Sequence, residues 1–170
     1  DTSKFVKKEI DIVAYKKGEN ELKAEKIAIE LKFPRNGQYP EQMFSFIKDI
    51  KFMEQVKNAD AELKDVCKEG EFTETYVLTL VDNKNFYSSN RGENGIYSYF
   101  SKNDDFGIQI TKGENIIKPT GNKEDCKETI KEIKLNNQYK STWEQPDATW
   151  LDAKTEQDKE KYRYYIIECK

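Results

Sequence analysis

The sequence predicts an α+β fold, with α/β as the close alternative, built on a mixed central β-sheet. Three observations predict it. Two segments near the N-terminus alternate apolar and polar residues across a turn-rich gap. A long amphipathic helix pattern follows them, and a short continuous apolar run follows the helix.

The two alternating segments, residues 4–15 and 25–33, read as a β-hairpin. In the second, Ile27, Ile29, Leu31 and Phe33 alternate with Ala28, Glu30 and Lys32. In the first, Ile10, Ile12 and Ala14 alternate with Glu9, Asp11 and Val13. Each strand is thus expected to bury its apolar set and turn its acids to the other face. The gap KKGENELK holds Gly18 and Asn20, residues that suit a tight reversal. A reversal centred near residues 20 and 21 puts Asp11 opposite Glu30.

Pro34 ends the second strand. Pro40 and Glu41 then form a helix start, with Met43, Phe46, Ile47, Ile50, Met53 and Val56 spaced three and four apart, so an amphipathic helix is expected over about 40–57. A weaker polar helix is expected to run on to Gly70. TYVLTLV at 75–81 reads as a central strand buried on both faces, and strand–helix–strand makes it parallel to 25–33. Further strands are expected at IYSYF, FGIQI and NNQYKSTWEQ, with mostly loop at TKGENIIKPTGN. A surface helix is expected over Lys123–Leu135 and a closing strand at 162–168. The absence of repeats or linker composition predicts a single domain over 1–170.

Composition narrows the chemistry. Hydrophobic and charged residues each make up 36% of the 170-residue chain and aromatics 12%, enough for a core beneath a heavily charged surface. The net charge of −3 lacks the basic excess of a free nucleic-acid-binding domain. Cys67, Cys126 and Cys169 form no CxxC pair and read as free thiols in a reducing, cytoplasmic setting. With no histidine, Ser-His-Asp and Cys-His catalysis and His-based zinc sites are excluded. No segment approaches 18 consecutive apolar residues, so no membrane span is expected. The start DTSKF, without methionine, points to upstream sequence or to a leader or tag that was removed.

A D/E-x-K triplet occurs nine times, beginning at Glu21, Glu30, Asp49, Glu62, Asp82, Asp125, Glu132, Asp152 and Glu168. The triplet alone therefore decides nothing, and the others read as surface charge. Only the one at Glu30 has a preceding antiparallel strand that presents an acid at the matched position, together with a following amphipathic helix. Asp11 and Glu30 could hold Mg²⁺ or Mn²⁺, with water and a substrate phosphate completing the shell. The metal would polarise a phosphodiester and lower the pKa of the attacking water. Lys32, on the same face, could orient that water or steady the charge developing on the phosphorus oxygens. The plainer alternative is a solvent-facing cross-strand ion pair.

The run IDIV, then AIELK, then a helix opening with EQ resembles the PD-(D/E)xK nuclease superfamily, the restriction-endonuclease-like fold. The resemblance covers about residues 4–82, with the remainder packed on or completing that core. It matches Asp11 to the first acid and Glu30 and Lys32 to the E-x-K pair. It also matches Gln42 to a glutamine that several branches place at the next helix, with Phe46 four residues on. It implies a metal-dependent nuclease, most simply a DNase, with Asp11 and Glu30 as metal ligands and Lys32 and Gln42 as catalytic partners. The superfamily's proline is absent before Asp11, where Ile10 stands, and only ten residues precede Asp11 where the superfamily has a helix and a strand. A missing upstream segment or a partner protein would then complete the core or the site. A non-catalytic nucleic-acid- or protein-binding domain on the same fold is the other expectation.

Other residues read more plainly. Glu9 reads as a rim charge, and Lys48 and Lys51 as a solvated helix face. Phe86, Tyr87, Tyr97, Tyr99 and Phe100 read as an edge-strand core rather than a base-stacking surface beside Arg91, and Trp143 and Trp150 as core or cap residues.

Overall fold

The computed structural model describes residues 9–16, 25–34, 37–58, 72–88, 95–100, 107–119, 131–147 and 160–170. In chain order their regular elements are β1 (Ile12–Lys16), β2 (Glu25–Lys32), α1 (Tyr39–Lys57), β3 (Glu74–Val81), β4 (Gly107–Ile110), β5 (Ile116–Ile117), β6 (Glu132–Ile133), β7 (Tyr139–Thr142) and β8 (Arg163–Cys169). Two short 3₁₀ turns, Lys84–Phe86 and Gly95–Tyr99, lie between β3 and β4. The fold is α+β, as the sequence predicts.

The main sheet has the order β1-β2-β3-β8. β1 and β2 are antiparallel, β2 and β3 parallel, and β3 and β8 antiparallel. The crossover through α1 makes the one parallel pair, because a helix must carry the chain back to the start of the sheet. β4 pairs with β7 and β5 with β6 in two small antiparallel ribbons. Backbone bonds between Glu144 and Tyr164 tie the segment after β7 to β8.

α1 forms where Pro40 and Glu41 favour a first turn and Lys57 a last one. Gln38 stands just before it with φ 71°, a left-handed conformation that turns the chain into the helix. Met43, Phe46, Ile47, Ile50, Met53 and Val56 are all fully buried. The Phe46 ring sits within 5.6 Å of Phe86, 5.7 Å of Phe100 and 6.4 Å of Tyr165, centroid to centroid. Trp143 packs edge-on against Tyr165 at 4.9 Å, and its indole N–H donates to the Phe100 carbonyl at 2.8 Å. The aromatics of the second half thus complete the core under α1 rather than forming a separate surface.

The faces of the sheet differ from the sequence expectation. On β2 the covered residues are Lys26, Ala28 and Glu30, whereas Leu31, and Phe33 just beyond the strand, are exposed. The reason lies in the partners. α1 rests on the face where β3 presents Thr75, Val77, Thr79 and Val81 and β8 presents Tyr165 and Ile167. The register aligns Ala28, Glu30 and Lys32 with Thr75, Val77 and Thr79, which places them on that same face. Ile27, Ile29 and Leu31 join Tyr76, Leu78 and Ile166 on the other side. Both faces carry apolar residues, so alternation within β2 alone does not say which one the helix takes. For the same reason β3 is fully buried on one face only and half-buried on the other.

Three further expectations change. IYSYF is a 3₁₀ turn, not a strand: Gly95 takes φ 67°, and the Ser98 hydroxyl donates to the Gly95 carbonyl at 2.7 Å, closing the turn locally. The end of the helix expected over Lys123–Leu135 is β6, with Ile133 and Leu135 buried. TKGENIIKPTGN, expected to be mostly loop, contributes the two residues of β5. The helix expected after residue 58, the N-terminal part of the one over 123–135, the hairpin reversal, Arg91, Cys67, Cys126 and Trp150 lie outside the described residues.

Candidate metal and phosphodiester site

The β1–β2 register pairs Ile12 with Ile29 and Ala14 with Ile27. The ladder ends at Ile12, one residue short of the Asp11–Glu30 pairing expected from the hairpin. Asp11 stands immediately before β1 rather than within it. Its exposed carboxylate accepts the backbone N–H of Leu31 at 2.8 Å through Oδ2. A side-chain oxygen there takes the place of the next ladder carbonyl and ends the strand while keeping Asp11 beside β2.

Glu30 lies in the C-terminal half of β2, beneath α1, with 8% of its surface exposed. Lys32, two residues on, projects to the same face and keeps 29% of its side chain exposed. A carboxylate and an ammonium two residues apart on one strand share a face because strand side chains repeat with period two. Lys32 Nζ lies 3.6 Å from Asp49 Oδ2 on α1, and Asp49 is only 2% exposed. The face under α1 thus brings Glu30, Lys32 and Asp49 together toward the C-terminal end of β2.

Asp49 is the residue that sequence reading missed. It begins one of the nine triplets and was expected to be surface charge. A signal was nonetheless present: it stands three residues after Phe46 and four before Met53, inside the apolar arc of α1. Thr79 and Tyr165, Cα partners across β3 and β8, extend this polar patch inward. Burial pushes the Tyr165 phenol well above its ordinary value, the adjoining Thr79 hydroxyl draws it back, and the Asp49 carboxylate raises it again.

Gln42, in the first turn of α1, is half-buried, and its backbone N–H bonds to the Gln38 carbonyl at 3.0 Å. Glu9 is exposed. Lys51 does not belong to a solvated face: its ammonium bonds to Glu54 at 3.3 Å and to Asn136 at 3.0 Å. Cys169 is a buried free thiol, and burial pushes its pKa up, which suits a packing role and not a nucleophile.

Among the described residues, no group of three or more His, Cys, Asp or Glu side chains is placed to hold a metal ion. Asp11 and Glu30 offer oxygen donors only. That suits Mg²⁺ or Mn²⁺, which take one or two carboxylates and fill their remaining positions with water and phosphate oxygens. Asp11 keeps Oδ1 and the remaining lone pair of Oδ2 beyond its bond to Leu31. No helix among the described residues is long and apolar enough to cross a membrane. No family model matches this chain, and no curated protein or solved structure matches it.

Proposed function

We propose that this domain is a metal-dependent nuclease that hydrolyses phosphodiester bonds, most simply in DNA. The observation that carries the proposal is the β1–β2 register, whose last pair, Ile12 with Ile29, leaves Asp11 at the strand's end bonded to the Leu31 N–H beside Glu30, with Lys32 two residues beyond Glu30 on the same strand face. Asp11 and Glu30 would hold Mg²⁺ or Mn²⁺, which supplies an activated water and polarises the phosphate. Lys32 holds a positive charge at the edge of the covered face, where it can meet the charge that develops on the phosphorus oxygens. Gln42, on the first turn of the crossover helix, is the accessory group.

The test is cleavage of plasmid and of single-stranded DNA with Mg²⁺ or Mn²⁺ by the wild type, Glu30→Gln and Lys32→Ala. Metal-dependent cleavage that falls by about 100-fold or more in each variant is the expected result, the scale on which loss of one charge-stabilising group acts. Equal activity in all three would remove the assignment.

A second reading, a non-catalytic nucleic-acid- or protein-binding domain on the same framework, draws on a specific observation as well. The Lys32 ammonium lies against Asp49, and Asp11 accepts the Leu31 N–H, contacts that serve the fold without any chemistry. It predicts retention of DNA or a protein partner with no metal-dependent cleavage.

A further inference from the structure

We infer that Asp49 is a positioning residue for Lys32: it holds the ammonium in place between β2 and α1. The inference rests on the nuclease reading for its catalytic meaning and on geometry for the rest. Asp49 sits on the inner arc of α1, with the fully buried Ile50 and Met53 fixing the helix against the sheet. Its carboxylate therefore has little freedom to move. Lys32 is a long chain on a strand, with many rotamers open to it when nothing holds its end. The separation of 3.6 Å brings the charges together at a distance longer than an ordinary hydrogen bond. The ammonium thus keeps donor capacity for a ligand at the partly exposed rim.

The burial pattern argues against a purely stabilising pair. Taking a carboxylate almost wholly out of water is costly, and apolar residues of similar volume often serve stability as well as a buried ion pair does. α1 turns Phe46, Ile50, Phe52 and Met53 inward around Asp49, and its other buried acid, Glu54, is supplied with backbone N–H and phenol donors, whereas Asp49 stands where Lys32 reaches across. Glu30 lies two residues from Lys32 on the same strand face, so aiming the ammonium also fixes its position relative to that carboxylate. An anchored lysine meets a developing charge without reorganisation at the moment of reaction.

The experiment uses two readouts on the whole chain: the ¹H–¹⁵N cross-peak of the Lys32 ammonium at low temperature, assigned by its loss in Lys32→Arg, and DNA cleavage with Mn²⁺. The variants are Asp49→Asn, Asp49→Glu and Lys32→Ala with and without Asp49→Asn, each checked for folding by circular dichroism. The expected result is a protected cross-peak in the wild type that disappears in Asp49→Asn and returns at least in part in Asp49→Glu. Cleavage should fall at least tenfold in Asp49→Asn, recover partly in Asp49→Glu, and show no added loss when Asp49→Asn is placed on Lys32→Ala. An unchanged cross-peak in Asp49→Asn would overturn the inference. So would an equal further loss on the Lys32→Ala background, because Asp49 would then act independently of Lys32. If the wild type cleaves nothing but the cross-peak responds as described, the nuclease reading fails and Asp49 stands as the group that holds Lys32. Should Asp49→Asn not fold, Asp49→Glu carries the test, and a cross-peak lost in that folded variant would count against the inference.

Discussion

Glu54, on the last turns of α1, accepts the phenol hydroxyl of Tyr139 at 2.9 Å, across 85 residues of chain. The same carboxylate takes the backbone N–H groups of Asn136 and Asn137 at 2.9 Å and the Lys51 ammonium at 3.3 Å. Glu54 is fully buried, and its oxygens gather donors from the segment that leads into β7. Tyr139 in turn accepts the Lys170 N–H at 3.3 Å, which brings the last turns of α1, the start of β7 and the end of β8 to one point.

Replacing Glu54 by alanine should therefore be among the more damaging single changes outside the apolar core. It strands two backbone N–H groups and a phenol at once, and leaves the Lys51 ammonium with Asn136 alone of its two partners. We expect a loss of about 3–5 kcal/mol, the range for breaking a buried charged network, with a lower urea midpoint and β7 amides that exchange faster. Tyr139→Phe removes one donor to Glu54 and the acceptor of the Lys170 N–H, and should cost about 1–2 kcal/mol.

The two faces of β8 provide a contrast between adjacent residues. Ile167 is 3% exposed on the α1 side, and Ile166 is 49% exposed on the open side. Ile167→Lys should prevent folding or lower stability by several kcal/mol, whereas Ile166→Lys should cost about 1 kcal/mol or less. Thermal unfolding of the two variants checks the placement of α1. Equal effects would mean that the open face is covered as fully as the other.

Alkaline pH should destabilise the fold through its phenols. Burial and then the Glu114 carboxylate push Tyr99 up to about 12, and its hydroxyl bonds to that carboxylate at 2.8 Å. The bond to Glu74 raises Tyr76 likewise to about 12. A folded pKa above the ordinary value of about 10 means that the unfolded chain loses its proton first. The contribution is therefore complete below about pH 10 and declines as pH rises toward 12. Urea midpoints measured from pH 8 to 12 should fall over the upper part of that window, with a shallower fall in Tyr99→Phe.

The hairpin, α1, β3 and β8 were legible because each depends on its own local pattern: alternation, three-four spacing, or a β-rich apolar run. The β1–β2 register was legible too, since register follows from where a hairpin turns. The choice of face was not. That depends on β3 and β8, which lie far along the chain, and on how their side chains meet α1. The same blindness hid Asp49, whose role needs Lys32 on a separate element, and Glu54, whose donors come from residues 136, 137 and 139. IYSYF failed for a local reason: Ser98 and Gly95 close a turn that an aromatic-rich run does not reveal.

The place of β8 has a consequence for how the protein is made. β3 is an inner strand of the sheet, yet its second neighbour is formed by Arg163–Cys169. During synthesis, everything up to β7 leaves the ribosome while one edge of β3 has no partner from this sheet. Its backbone N–H and C=O groups on that side stay open until residues 163–169 emerge. A chain cut short before Arg163 keeps that edge and loses Tyr165 and Ile167 from beneath α1. Such a fragment carries a ready template for pairing with its own copies.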